Sequence, residues 1–439
     1  MTPTIHVGLT DEFDPEVQAM MLAMYSRSYG PIADRLPTTE QEKLELKEKL
    51  SKFYVGYNHK SVGQLGVTTI WFEGVSQLAA KAIENHPLYN GQESSTRYVD
   101  YSSQPMVDAG VEEIHEWQEK WRAFYIKALP LVTEKIKAEY PYVGDVTMSV
   151  YNNTVKARAF DICRGFLPAG CVTNVGFMGT FDTLNDHFGE MLFHPLAEMR
   201  EIAETALTEL AKKYSYAAIP IEKLKERFDY VDFSHFYSGP NKEHVDPGDL
   251  HPPLSMTTWG APEQHMLSIE RKKFEKFPRI FSSKYRFVLC DQIDFGSYRD
   301  IHRHRNGVIS MPMLGVNIGM NDFYIDNLPA ELIDEIENLT EAFEMWYEAS
   351  SITGSITGST MQYAVPMGYL VDFSYDCDLN QLLYIMELRS GKTVHQTLRR
   401  VIHRAVNALN KKFPELVVHA DMDEENFSLK RGTQTFIEP

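Results

Sequence analysis

Cysteine is scarce in this sequence, and its placement excludes two common kinds of stabilisation. Only four cysteines occur among 439 residues, they are scattered, and none forms a CxxC pair. A disulfide framework and a cysteine-ligated zinc site are therefore not indicated. We expect each one to be a small core residue; they are Cys163, Cys171, Cys290 and Cys377.

Long apolar runs are also missing. No stretch approaches the roughly 20 residues that a membrane-spanning helix needs. The N-terminal residues show neither the basic region nor the apolar region of a secretory signal. We therefore expect a cytoplasmic protein that has no membrane partner.

Positive charge is in short supply. The chain has 43 lysines and arginines against 61 aspartates and glutamates, and its formal net charge is −18. Such a chain repels a polyanion, so a large nucleic-acid surface is not expected. A small phosphorylated ligand can still bind where arginines are concentrated in one cleft, so arginine clusters are the feature to look for.

Two parts of the chain show the same order of patterns. The strand-like run LGVTTIWF is followed by a helix-like stretch that ends near His86, and the strand-like run YRFVLC is followed by a second such stretch and His304. Phe72 precedes His86 by 14 residues, and Cys290 precedes His304 by 14 residues. The order strand, helix, histidine therefore recurs in register.

A second pair of landmarks lies downstream of the first. Arg164–Pro168 precedes the strand-like CVTNVGFMG and a helix that begins near Asp182, and Tyr363–Pro366 precedes GYLVDFSY and a helix that begins near Asp378. Each copy then closes with a long amphipathic helix. The sequence therefore predicts two diverged copies of one domain.

The expected domain boundaries follow from this repeat. We predict an N-terminal repeat over residues 1–220, a linker or long loop over 221–262 and a C-terminal repeat over 263–439. The region around the linker is rich in Pro, Gly and His and lacks periodicity. Its histidines, His244, His251 and His265, are irregularly spaced and have no partner cysteines, which favours a solvated loop over a metal site.

One cationic cluster stands out in the second repeat. Arg299, Arg303, His304 and Arg305 lie at the end of a predicted helix. Cations at a helix C-terminus are favoured by the helix dipole without any ligand. Several guanidinium groups in one place can also hold a phosphate or diphosphate with paired hydrogen bonds, and in so acidic a chain we favour this second interpretation.

The first repeat differs at the corresponding place. It reads Asn85-His86-Pro87, so the histidine is kept and both arginines are absent. A polar stretch, GQESSTRY, then follows, in which hydroxyl and guanidinium groups can bind a phosphate and a carboxylate can accept from a sugar or base. The alternative is a polar surface turn that binds nothing. The residues concerned are Gln92, Glu93, Ser95, Arg97 and Tyr98.

Together these stretches resemble the signature of the flavin-dependent thymidylate synthases, RHRxxSxNxxSxRY. The second repeat matches the front of the signature with Arg303-His304-Arg305, and the first repeat matches its back with Ser95-x-Arg97-Tyr98. Three further segments are similar to the family: Asn-His59-Lys-Ser, Arg164-Gly-Phe-Leu-Pro and Leu-Arg389. Neither repeat is complete, and the missing parts of one are present in the other.

The resemblance implies a fold, an activity and an assembly. The implied fold is α+β, with two repeats that each contain a small antiparallel sheet packed with long helices. The implied reaction converts dUMP to dTMP with methylenetetrahydrofolate, FAD and NADPH. In that family the active sites lie between the subunits of a homotetramer, so we expect a homodimer that forms a pseudo-tetramer.

The resemblance also assigns roles to residues. FAD is expected at Arg303, His304 and Arg305, with His59 and His86 beside it. The nucleotide is expected at Gln92, Glu93, Ser95, Arg97, Tyr98, Arg164 and Arg389. Of these, Arg164 and Arg389 are the expected catalytic residues, because Arg389 would lie against the pyrimidine and stabilise developing negative charge. No metal is implied.

Three departures from the signature keep other functions open. Val308 replaces the serine of RHRxxS, Gln92 replaces the asparagine, and the glutamine expected three residues before the first arginine is absent from both repeats. A different pyrimidine nucleotide, or hydroxymethyl transfer, would use the same pocket. A degenerate paralogue that binds flavin or nucleotide without turnover is an alternative, as is a helical interaction protein whose arginines serve only charge pairing.

Overall fold

The computed structural model describes residues 4–237, 254–258, 269–424 and 427–433. These residues form two compact units. Unit 1 comprises Met1–Glu73, Ala82–Glu93 and Asn174–Phe236, and unit 2 comprises Gly74–Lys81, Ser94–Thr173 and Tyr237–Pro439. Unit 2 thus combines the middle of the first repeat with the second repeat.

Short strands alternate with helices along the chain. The strands are β1 (Val67–Ser76), β2 (Asn90–Glu93), β3 (Val172–Thr180), β4 (Leu254–Thr258), β5 (Tyr285–Asp294), β6 (Gly307–Ser310) and β7 (Leu370–Asp378). The helices are α1 (Pro15–Tyr25), α2 (Glu40–Leu50), α3 (Lys60–Gly63), α4 (Gln77–Glu84), α5 (Glu112–Glu139), α6 (Met148–Cys163), α7 (Phe181–Met191), α8 (Ala197–Lys213), α9 (Ile221–Arg227), α10 (Arg279–Ser282), α11 (Phe295–His302), α12 (Asp322–Asp326), α13 (Ile333–Thr353), α14 (Gly358–Met361), α15 (Leu379–Arg389) and α16 (Gln396–Lys412).

The predicted repeat is confirmed by elements of equal length. β1 and β5 each have 10 residues, and the helices that follow them, α4 and α11, each have 8. β3 and β7 each have 9 residues, and they lead into α7 and α15, each of 11. The closing helices, α8 and α16, each have 17 residues. The amphipathic patterns identified in the sequence therefore mark the same elements in both copies.

Each repeat contains a small sheet, as the α+β prediction requires. The strand order is β1-β3-β2 in the first sheet and β4-β5-β7-β6 in the second. β2 pairs with β3 antiparallel, and β7 pairs antiparallel with both β5 and β6. The second sheet therefore has the order of the first, with β4 added at one edge.

The junctions between strand and helix are built alike in both repeats. In each, the last residue of the strand uses its side chain to accept a hydrogen bond from the backbone N–H three residues later, which satisfies one of the free N–H groups of a helix start. The four caps are Ser76 to Ala79 at 2.9 Å, Thr180 to Thr183 at 3.2 Å, Asp294 to Ser297 at 2.9 Å and Asp378 to Gln381 at 2.9 Å. These caps fix where the helices that bear candidate site residues begin.

Within unit 2 the two repeats pair through matching segments. Ala169 N–H donates to the carbonyl of Val365 at 2.8 Å, and Met367 N–H donates to the carbonyl of Leu167 at 2.8 Å. The same reciprocal pattern joins Gly170 to Tyr363 and Gly368 to Gly165. The contact therefore has local two-fold symmetry, as expected for two copies of one domain.

The predicted linker is structured where the structure describes it. Ile221–Arg227 forms α9, and β4 pairs antiparallel with β5. Residues 238–253 and 259–262 lie outside the described residues, as do His244, His251 and His265. Among the helices that are described, none combines the length and the hydrophobicity that crossing a membrane requires.

Candidate functional site

A buried carboxylate lies among four arginines in unit 2. Asp300, on α11, is 8% exposed. Burial by itself raises the pKa of this carboxyl, but nearby positive charges outweigh burial and hold the pKa far below its usual range. Asp300 is therefore ionised at neutral pH. The charges come from Arg97, Arg389, Arg164 and Arg303, which with Asp300 we call the arginine cluster.

Arg97 reaches the cluster from the first repeat. Its Nε donates to Asp161 Oδ1 at 2.9 Å, and its Nη2 donates to the carbonyl of Thr393 at 2.7 Å. Its backbone N–H donates to Ser95 Oγ at 3.2 Å, so the Ser-x-Arg motif forms a tight turn. The motif thus holds its arginine against a loop of the second repeat.

Arg164 is the most deeply buried member of the cluster. It is 2% exposed, its Nη2 donates to Ser297 Oγ at 3.0 Å and its Nη1 lies 3.8 Å from Asp300 Oδ2. The Ser297 hydroxyl also lies 2.6 Å from Thr397 Oγ1 and 3.3 Å from His395 Nδ1. Because a buried charge requires such partners, this network fixes the guanidinium of Arg164.

Arg389 is held by His304 of the predicted flavin motif and by Asp300. Its Nε donates to His304 Nε2 at 2.8 Å, and its Nη2 donates to the carbonyl of Asp300 at 2.8 Å. Burial, followed by the charge of Arg389, lowers the pKa of His304 to about 3. The imidazole is therefore neutral at physiological pH and accepts the hydrogen bond from Arg389.

The other members of the cationic run differ in exposure. Arg303 and Arg305 are half-buried. Arg299 is buried, and its Nη1 donates to Thr96 Oγ1 at 3.3 Å. Arg303 and Arg305 are thus the two arginines of this run that are partly exposed to solvent.

Four predicted site residues belong to unit 1. His59 is exposed, follows Asn58 with its left-handed φ of 56°, and its ring lies 5.9 Å from that of Phe53. Gln92 and Glu93 lie in β2, where Gln92 is exposed and Glu93 is buried.

His86 is the fourth of these residues. Its Nδ1 accepts from the Leu88 N–H at 3.1 Å, and its ring lies 5.3 Å from that of His187. Burial lowers the pKa of His86. Tyr98, by contrast, belongs to unit 2 and is half-buried.

Asp300 and Asp161 interact with the arginines of the cluster and were not predicted from the sequence. Asp300 stands three residues before Arg303, at the place where the resembled signature has glutamine. The replacement of glutamine by aspartate is visible in the sequence. Its effect could not be predicted, because it depends on four arginines that come from different parts of the chain. Asp161 lies within α6 and gave no signal in the sequence.

Four of the five cluster residues have a counterpart in the other repeat, and each of these counterparts is uncharged. Arg164 and Gln362 both open the 3-10 turn before a strand, and Arg389 and Met191 both end an 11-residue helix. By the same correspondence, Asp300 matches Ala82 and Arg303 matches Asn85. Each of these four charged residues therefore occurs in one repeat and not in the other.

No metal site competes with this interpretation in the described part of the chain. There, no group of three or more His, Cys, Asp or Glu side chains is placed to hold a metal ion. Cys163, Cys171 and Cys377 are buried, as expected for core residues, whereas Cys290 is only half-buried.

Comparison with known proteins gives one family and several relatives of similar length. The model of the family described as thymidylate synthase complementing protein matches residues 9–214. A protein of Chlamydia pneumoniae named UPF0159 protein is 24% identical over 457 aligned positions, which cover 90% of this chain and 85% of the relative. A UPF0159 protein of Chlamydia muridarum is 25% identical and covers 81% of this chain and 77% of its own length.

An archaeal relative extends the similarity. The UPF0159 protein Ta1429 of Thermoplasma acidophilum is 22% identical over 90% of this chain and 93% of its own length. The names of these relatives state no activity. Residues 9–214 are thus similar to the thymidylate synthase complementing protein family, and a second copy of the same order of elements follows them.

Proposed function

We propose that the protein is a flavin-dependent enzyme that methylates dUMP at C5, with methylenetetrahydrofolate as the carbon donor and NADPH as the reductant. One observation carries the proposal. Arg97 comes from the back of the split signature and Arg303 from its front. The positive charge of each lowers the pKa of the Asp300 carboxyl within unit 2. Two incomplete motifs therefore contribute to one set of charges.

The chemistry of this set suits a phosphorylated ligand. Guanidinium groups bind phosphate oxygens with paired, charge-assisted hydrogen bonds. We assign the nucleotide phosphate to Arg97 and Ser95, with Arg164 adding positive charge from its buried position. Arg389 is assigned to the pyrimidine, where a cation held in a partly buried site stabilises negative charge that develops on the ring.

The accessible residues beside the cluster suit FAD. Arg303 and Arg305 follow the C-terminal end of α11, where the helix dipole by itself disfavours an anion. Two half-buried guanidinium groups overcome this effect and provide the donors that a diphosphate requires. Arg303 and Arg305 would hold the diphosphate. When bound, the flavin would supply the hydride that completes the methyl group.

A second candidate function differs in the nucleotide or in the transferred group. Asp300 stands where the resembled signature has glutamine, and an ionised carboxylate accepts hydrogen bonds but cannot donate them. This difference favours a change in the pyrimidine or in the transferred group, for example hydroxymethylation. A protein that binds these ligands without turnover would contain the same cluster.

A single-turnover experiment tests the proposed function. The purified protein should be yellow and show flavin absorbance. After anaerobic reduction, addition of dUMP and methylenetetrahydrofolate should reoxidise the flavin and yield dTMP, identified by mass spectrometry. Flavin reoxidation with a methylated product other than dTMP, or a hydroxymethylated nucleotide formed with water and without flavin reoxidation, would support the second candidate. If no pyrimidine nucleotide gave either reoxidation or a new product, an enzyme of this kind would be ruled out.

We also propose a homodimer in which two chains rebuild a four-copy assembly. The proposal is supported by the local two-fold pairing of the repeats in unit 2 and by the family's subunit arrangement.

A further inference from the structure

We propose that His304 is a positioning residue, whose imidazole fixes the guanidinium of Arg389 and does not contact the flavin. This inference rests on the proposed function, because it concerns how the site presents Arg389 to the nucleotide.

The contacts of Arg389 support this role. A guanidinium is planar and has five N–H groups. One N–H of Nε donates to His304 Nε2 and one N–H of Nη2 donates to the carbonyl of Asp300, each at 2.8 Å. Two bonds from different nitrogens to different acceptors fix the plane of the group. The three other N–H groups have no acceptor among the described residues, and Arg389 is half-buried, so they are available to a ligand.

The imidazole of His304 has no ring nitrogen left for a ligand. Because Nε2 accepts from Arg389, a neutral ring must carry its proton on Nδ1. The amide Nε2 of Gln381 lies 3.5 Å from Nδ1. With the proton on Nδ1 this amide must be turned over so that its oxygen accepts, because the two ends of an amide are assigned from their hydrogen bonds. The backbone of His304 is also anchored, because Tyr375 Oη donates to its carbonyl at 3.0 Å.

The first repeat provides an internal comparison. His86 corresponds to His304, and Met191 corresponds to Arg389. Where the arginine is absent, the Nδ1 atom of His86 accepts from the backbone of Leu88. The histidine therefore has a different partner in the repeat that lacks the arginine.

A pair of substitutions separates positioning from cofactor binding. His304→Gln retains a side-chain oxygen that can accept from Arg389, whereas His304→Leu removes the acceptor and keeps most of the volume. We expect dUMP affinity within about 3-fold of wild type for His304→Gln and a loss of about 10-fold or more for His304→Leu, with FAD retained in both. His403→Gln is the matched control, because His403 Nε2 bonds to the carbonyl of Asp421, a residue outside the arginine cluster.

Three results would overturn the inference. The first is that His304→Leu binds dUMP as tightly as wild type, and the second is that His304→Gln loses as much dUMP affinity as His304→Leu. The third is that either variant loses FAD while it still binds dUMP.

A ligand-free measurement keeps the inference testable if a variant fails to fold. In wild-type protein with ¹⁵N-labelled histidine, NMR should show His304 neutral with its proton on Nδ1 at pH 7. A proton on Nε2, or a doubly protonated ring, would contradict the pairing with Arg389. If wild-type protein bound no dUMP, the proposed function would fail, while the tautomer would still decide whether His304 holds Arg389.

Discussion

Arg97 of the first repeat donates a hydrogen bond of 2.7 Å to the carbonyl of Thr393 in the second repeat. The two residues are 296 positions apart. Arg97 follows β2, which corresponds to β6, and Thr393 follows α15, which corresponds to α7. This bond places the Ser-x-Arg turn beside the loop that follows α15, the helix that ends at Arg389.

The split signature predicts different effects for its two halves. Arg97→Ala should weaken dUMP binding by about 10- to 100-fold and leave FAD bound, because a charge-assisted hydrogen bond contributes about 1.5 to 3 kcal/mol. Arg303→Ala should release FAD and leave dUMP binding within a few-fold of wild type. Isothermal titration and the absorbance of retained flavin measure the two effects. Equal losses of both ligands in both variants would contradict the division of roles.

The pairing of the repeats predicts a steric requirement at Gly165. A Cβ at this position would lie 2.3 Å from the ring of Tyr324, which is fully buried. Gly165→Ala should therefore destabilise the protein by about 1 to 3 kcal/mol, as overpacking does. Gly358→Ala is the control, because its added Cβ would meet only the flexible end of Met313 at 3.4 Å. Urea denaturation gives the free energy of unfolding of both variants. Equal stabilities would contradict the steric requirement, because they would show that the segment around Gly165 can move away from Tyr324.

Buried neutral histidines predict acid sensitivity. Burial is the main cause that lowers the pKa of each of His187, His194 and His304 to about 3, whereas the unfolded chain titrates near 6.5. A lowered histidine pKa means that the unfolded state binds more protons, so stability is fully present above about pH 6.5 and is lost as the pH falls. Three such groups contribute a slope of about 4 kcal/mol per pH unit between roughly pH 6 and 4.

Chemical denaturation at a series of pH values tests this slope. His194→Phe, which removes a histidine outside the arginine cluster, should reduce the slope by about 1.4 kcal/mol per pH unit. A flat stability profile from pH 7 to 4 would contradict the account of these buried rings.

The assembly is testable without ligands. Light scattering coupled to size exclusion should give the mass of two chains, because the family builds its sites between subunits and this chain contains two copies. A strict monomer at concentrations above about 10 µM, where an interface of standard size would associate, would contradict the proposed pseudo-tetramer.

More of the fold than of the candidate site could be predicted from the sequence. The repeated spacing to His86 and His304 and the two closing amphipathic helices predicted the repeat, because hydrophobic periodicity and strand composition are local signals. The division into compact units was not predicted. It depends on contacts such as those of Ala169 with Val365, which join residues far apart in sequence.

For the site, the resemblance identified the arginines but not what holds them. Arg97 and Arg389 were recognised from short motifs. Asp161, Ser297 and Asp300 were not, because each is an ordinary polar residue on a helix until the fold brings a guanidinium within reach. The pairing of His304 with Arg389 also could not be inferred, since the motif by itself assigns the histidine to the flavin.

The central claim is that both repeats contribute to one nucleotide site. A crystal structure of the protein with FAD and dUMP tests it most directly. We predict the dUMP phosphate within about 3 Å of the guanidinium of Arg97, with Arg389 against the pyrimidine of the same molecule. A nucleotide bound away from the arginine cluster, or one that contacts residues of a single repeat only, would contradict the account.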